Sequence, residues 1–254
     1  MGLKRMVFRE SDGAVDVDSN TQEIDSSGGH VVKSSVGLVV TIDGPAASGK
    51  SSVSREIARR FNWDWVSTGA FYRGVAWAAN HLGLDLGDEA AIEQFAKSTR
   101  WSIQLTSAQT CFQLDGKDFT DEIGKESVGS LASRISSYPK VRAALLSAQR
   151  ECAKSGRGLV AEGRDCGSVV FPSAEVKIFL TARAEDRAAR RALEEGRDVQ
   201  AMINEQKQRD AQDATRKTAP MVAASDAHTV DTTGLGLNDV VEKIETIIRS
   251  YLAK

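Results

Sequence analysis

The run Gly44-Pro45-Ala46-Ala47-Ser48-Gly49-Lys50-Ser51 has the G-x-x-x-x-G-K-[ST] spacing, and each residue type in it answers a need of bound phosphate. Successive backbone N–H groups along such a loop, continuing through Ser52 into a helix, form a cradle for anionic oxygens. Lys50 is placed to reach β- and γ-phosphates, and the Ser51 hydroxyl to hold Mg²⁺. A nucleoside triphosphate is the expected ligand. The bland alternative, a Gly-rich turn that happens to carry Lys-Ser, lacks the strand before the loop and the helix after it that this motif requires.

A phosphate loop fixes the phosphoryl donor and leaves the acceptor open. Arg73, beside Tyr72 and shortly after Thr68, follows a predicted strand end, and so does Arg164 in Gly163-Arg164-Asp165. A third group, Arg209, Asp213 and Arg216, recurs at spacings that share one helix face. A phosphomonoester acceptor needs a cationic clamp of its own, because its charge otherwise repels the γ-phosphate. Arginine suits this, binding phosphate oxygens bidentately and never deprotonating. Glu162 ends the preceding strand, where an acid can hold Mg²⁺ through water. An ionised acceptor phosphate is already a nucleophile, so no general base is demanded; alignment and charge neutralisation carry the chemistry. In the charged stretch from Arg183 to Arg216, Arg187, Arg190 and Arg191 are candidates to reach the transferring group when the stretch closes as a lid and excludes water. Taken singly, each of these arginines also reads as an ordinary surface residue.

The elements that must position these residues are β-strand and helix repeats. Strands are expected over 38–42, 63–67, 158–162, 176–181 and 229–232. Helices are expected after the loop and over about 69–82, 89–97, 125–135, 139–155, 185–217 and 237–252. Period-two alternation over 101–105 and 111–115, followed by Asp115-Gly116, predicts a small antiparallel excursion. The result is an α/β fold with a mainly parallel sheet, whose ligands sit at the carboxyl ends of the strands. Residues 1–35, with little apolar surface, read as a disordered or loosely attached extension.

The chain of 254 residues is 41% hydrophobic, enough for one large domain. A net charge of −2 gives no support for a nucleic-acid surface. Cys111, Cys152 and Cys166 lack metal or redox spacing, and His30, His81 and His228 lie far apart, which argues against structural zinc. No stretch is apolar enough for a membrane span or a signal peptide, so a cytoplasmic protein without membrane partners is expected.

Ile42 to Ser51, Ser67-Thr68-Gly69-Ala70-Phe71-Tyr72-Arg73, Tyr138 to Arg142, Glu162 to Pro172, Arg209 to Arg216, Ala219-Pro220 and Val230 to Leu235 together resemble bacterial cytidylate kinases, members of the P-loop nucleoside monophosphate kinases. The resemblance covers about residues 37–252. It implies a three-layer α/β kinase domain over 36–254 with a parallel five-stranded core sheet. It also implies an antiparallel nucleotide-binding insert at about 98–124 and a helical lid at about 183–217. The implied reaction transfers the γ-phosphate of ATP to CMP or dCMP with Mg²⁺; because the cleft can be completed within one chain, a monomer is expected. By that analogy Ser133, Arg142 and Asp165 read cytosine, Arg73, Arg164 and Arg216 hold the acceptor phosphate, and Asp213 with Arg209 meets the sugar. Cytosine chemistry agrees: Asp165 can accept from its amine, while Arg142 and Ser133 can donate to its ring acceptors. Ser67 stands where the family usually has aspartate, Glu162 replaces a more frequent aspartate, and Gly124 occupies a place where arginine is common. The stretch between Leu193 and Asn204 looks shorter than in longer-lidded relatives. A broader UMP/CMP kinase and a non-catalytic nucleotide-binding protein remain as alternatives.

Overall fold

The computed structural model describes residues 37–253 apart from residues 197 and 216–218, and it describes side chains except at 155, 193–195, 205, 206, 209 and 212–214. The expected extension over 1–35 and Arg216 therefore lie outside the described residues, as do the side chains of Arg209 and Asp213.

β1 (Val39–Asp43) is an apolar run that ends in a carboxylate, and α1 (Lys50–Phe61) begins within the phosphate-loop motif. α1 stops where Asn62 turns left-handed, with Arg59 and Arg60 facing the negative end of the helix dipole. β2 (Asp64–Ser67) runs into α2 (Thr68–His81), followed by α3 (Glu89–Ala96), whose first amides are capped by Asp88 Oδ1 accepting from Ala90 and Ala91 N–H, both at 3.0 Å. β3 (Trp101–Leu105), β4 (Thr110–Leu114) and β5 (Lys117–Asp118) form a separate antiparallel sheet in that order. Next come α4 (Thr120–Gly124), α5 (Glu126–Ile135) and α6 (Pro139–Glu151), the last opened by proline at its first turn and closed by a 3₁₀ turn. β6 (Leu159–Gly163) leads into a π-helical turn (Cys166–Val170), then β7 (Val176–Thr181). α7 (Ala184–Glu195), α8 (Val199–Thr215), β8 (His228–Asp231) and α9 (Leu237–Leu252) complete the chain.

The main sheet has five parallel strands in the order β2-β6-β1-β7-β8. Alternate residues of these strands serve opposite faces. Val40, Ile42, Val160, Ile178 and Leu180 pack with Val53 and Ile57 of α1 and Val240, Ile244 and Ile248 of α9. On the other face Val66, Leu159 and Ala161 pack with Phe71 and Val75 of α2 and Leu145 of α6. Both faces are covered, giving three layers. β1 lies between β6 and β7, where the chain's winding reverses direction, so a crevice opens at its carboxyl end.

Three expectations need correction. The stretch expected to be helical over 185–217 holds two helices, α7 and α8, since Gly196 adopts φ 63° and ends α7. The antiparallel unit has a third strand, β5, too short and too polar to show a period. The helix expected over 139–155 gives way to a 3₁₀ turn at Cys152.

Candidate active site

The phosphate loop joins β1 to α1. Gly44 holds φ 153°, and a Cβ there would lie 2.5 Å from the Leu180 carbonyl oxygen, so the loop's first turn requires glycine. Lys50 Nζ donates to the Pro45 carbonyl at 2.8 Å, folding the ammonium over the loop. Ser51 Oγ lies 2.8 Å from both Glu162 carboxylate oxygens. Glu162 is buried, so this strand-end acid from β6 meets the loop hydroxyl away from bulk water. A hydroxyl and a carboxylate beside a phosphate cradle form an all-oxygen set of the kind that suits Mg²⁺, which keeps much of its hydration and takes few protein ligands.

Facing the loop across a cleft of ≈ 310 Å³ are residues from α2, α5, α6 and the segment after β6. The cleft is lined by Ala46, Ala47, Lys50 and Ser51 on one side and by Thr68, Tyr72, Arg73, Ser133, Arg142, Arg164 and Asp165 on the other, with Glu162 between them. Arg142 and Asp165, both 8% exposed, form an ion pair through Arg142 NH2 and Asp165 Oδ2. The Arg142 guanidinium also lies 5.6 Å from the centre of the Tyr72 ring, a cation–π contact that holds its plane. Arg73 NH1 donates to the carbonyls of Ile123, Gly124 and Lys125, at 3.0, 3.3 and 3.1 Å. Gly124 thus contributes its carbonyl to the Arg73 contact, and Lys125 pairs with Glu122 at 2.6 Å. Thr68 Oγ1 donates to the Glu162 carbonyl at 2.8 Å, joining the start of α2 to the end of β6.

Among the described lid arginines, Arg191 lines the cleft, and it pairs with Glu126 of α5. Arg187 is buried, donates to the Ala46 carbonyl of the phosphate loop at 2.9 Å and pairs with Asp210 of α8 at 2.6 Å. Arg190 NH2 donates to the Thr232 carbonyl at 2.7 Å. Arg187, Arg190 and Arg191 of α7 therefore engage the phosphate loop, the residue after β8 and α5 respectively. Gly44, Pro45, Ser48, Gly49 and Ser52 belong to the loop and its helix without lining the cleft.

Sequence reasoning missed Ser136 and Ala132, which also line the cleft, and the part played by Asp43. Asp43 is buried; its Oδ1 accepts the Cys166 N–H at 2.8 Å and its Oδ2 the Gly167 N–H at 2.7 Å. Burial pushes its carboxyl up to about 6, while those two amides pull it down. The Cys166 thiol beside it is pushed well above its usual range, first by burial and then by Asp43 and Asp165. Nothing in the local sequence at 43 signals a partner 123 residues away.

A family model described as Cytidylate kinase matches residues 40–250. This chain belongs to the cytidylate kinase family. A cytidylate kinase of Bdellovibrio bacteriovorus is 54% identical over 217 residues, covering 85% of this chain and all of the relative. Those of Rhodococcus jostii and Colwellia psychrerythraea are 43% and 42% identical, covering 83% and 81% of this chain and 94% and 93% of theirs. Family membership makes this chain a nucleotide-binding P-loop kinase. No helix among the described residues is long and apolar enough to cross a membrane.

Proposed function

We propose that this cytidylate kinase family member transfers the γ-phosphoryl group of ATP to CMP or dCMP, giving ADP and CDP or dCDP. The observation that carries the reading is the buried Arg142–Asp165 pair standing across one cleft from Lys50 and Ser51. Two paired charges taken out of water contribute little to stability, so their value lies in what they recognise. Cytosine offers an amine to Asp165 and ring acceptors to Arg142, with Ser133 beside them. Uracil presents a carbonyl to the carboxylate instead, which leaves buried groups repelled or unpaired.

Arg73 and Arg164 hold the acceptor phosphate, assisted by Arg216, while Arg209 and Asp213 meet its sugar. One acceptor oxygen attacks the γ-phosphorus as the bond to the β,γ-bridging oxygen breaks, and the electron pair leaves on ADP. The acceptor is ionised, so no side chain needs to take its proton. Lys50, Arg187 and Arg190 neutralise charge along the donor side. Ser51 Oγ and, through water, Glu162 would hold Mg²⁺, which would supply further charge neutralisation on the donor side. The insert at 98–124 supports the acceptor side, and the α7–α8 lid of 183–217 shields the cleft from water.

The test is initial ADP formation from ATP, Mg²⁺ and CMP with wild type and Lys50→Ala. Lys50→Ala is expected to lose about 100-fold or more in kcat with the fold retained. Wild-type rates in the variant, or silence in folded wild type, would overturn the reading.

A further inference from the structure

Asp43 has no part in the chemistry set out above, yet it lies between the two halves of the site. It is the last residue of β1, and its neighbour Gly44 opens the phosphate loop. Its two carboxylate oxygens are each taken by one backbone amide, Cys166 at 2.8 Å and Gly167 at 2.7 Å. Those amides come immediately after Arg164 and Asp165, the pair assigned to the acceptor's phosphate and base. The turn continues as the Asp165 carbonyl accepts from the Val169 and Val170 N–H groups at 2.9 and 3.1 Å. The far end of the segment has separate anchors. Arg150 donates to the Val170 and Val169 carbonyls at 2.8 and 3.0 Å, and Lys177 Nζ donates to the Pro172 carbonyl at 2.6 Å.

We propose that Asp43 is a positioning residue for the transfer step, fixing the Arg164–Asp165 turn, and through it the acceptor nucleotide, at a set distance from the phosphate loop. The assignment rests on the cytidylate reading above. An aspartate has one rotatable carbon between backbone and carboxylate, so two charge-assisted bonds leave the turn little slack against β1. In-line phosphoryl transfer depends on such registration, since a displacement of about 1 Å can cost about 100-fold in rate. Strand pairing alone sets only the backbone at Asp43 against Gly163. The side chain extends that register three and four residues further, to where the acceptor is read. Asparagine keeps the shape but offers one acceptor oxygen, and its NH₂ would meet the second amide head-on.

Asp43→Asn separates positioning from mere stability when compared with Lys177→Met, which loosens the same segment at its far end. Steady-state rates are measured with CMP and ATP varied in turn, alongside calorimetric binding of a non-hydrolysable ATP analogue. Asp43→Asn is expected to lower kcat and raise the CMP KM, each about tenfold or more, with analogue affinity held within about twofold. Lys177→Met is expected to lower the melting temperature while keeping the wild-type CMP KM. Equal losses toward both nucleotides, unchanged kinetics, or the same CMP effect in Lys177→Met would overturn the assignment. Wild type inactive toward CMP would instead overturn the reading beneath it, and the assignment with it. Should Asp43→Asn not fold, Asp43→Ser, smaller and able to accept one amide, is held to the same outcomes.

Discussion

Phosphate chemistry is legible in single residues because its demands are local. Glycines, a lysine and a hydroxyl at fixed offsets suffice, and Lys50 and Ser51 are recognised without knowing what lies around them. The acceptor side reads differently: Arg142 and Asp165 are 23 residues apart, and they meet only because α6 and the turn after β6 converge. Asp43 is the extreme case, since its partners are set wholly by tertiary structure. Its raised carboxyl also makes a pH prediction. An aspartate that titrates near 3.8 unfolded and about 6 folded binds protons more tightly in the native state. Its contribution to stability is therefore greatest below pH 3.8 and is lost as pH rises through about 6, by about 3 kcal/mol in order of magnitude. The melting-temperature advantage of wild type over Asp43→Asn should accordingly shrink between about pH 4 and pH 7 and level off above. An advantage that grows over that interval would show that the buried carboxylate is stabilised in its charged form.

Among the elements, long segments with a clear apolar stripe are legible: α9 spans Leu237–Leu252 as its four-residue spacing predicts. Boundaries set by one backbone conformation are not. The charged composition of 185–217 continues past Gly196, and the division into α7 and α8 is made by the left-handed Gly196 and by Asp198, whose Oδ1 accepts the Ala201 N–H at 2.8 Å. The π-helical turn at Cys166–Val170 likewise has no period of its own and is held by contacts from Asp43 and Arg150. Close approach of elements gives a prediction at this scale. At Gly163, where β6, α2 and the π-turn meet, a Cβ would lie 2.4 Å from Thr68 Oγ1 and 2.8 Å from Cys166 Sγ. Both atoms are buried, so Gly163→Ala must displace α2 or the turn. The expected cost is about 1–3 kcal/mol, read as a lower urea midpoint with an unchanged slope. An unchanged midpoint would mean that the junction yields freely.

At the scale of the whole molecule, sequence patterning establishes parallel strands between helices but not their order. β1 and β6 pair along their full length although about 120 residues separate them, and no periodicity encodes that choice. Two apolar clusters on opposite faces fix the sheet, and the reversal of winding at β1 brings the phosphate loop, Glu162 and the Arg164–Asp165 turn to one rim. The fold thereby brings local motifs together around one cleft, whose two sides are the donor and acceptor sides of the proposed reaction. Its selectivity should follow from the acceptor side, where Asp165 and Arg142 are shielded from water and cannot rearrange cheaply to suit a different base. The most direct test is the ratio of kcat/KM for CMP and UMP, measured as initial ADP formation with saturating ATP and Mg²⁺. The account predicts a preference for CMP of about 100-fold or more. Equal turnover of UMP would contradict it and make the protein a broader pyrimidine monophosphate kinase.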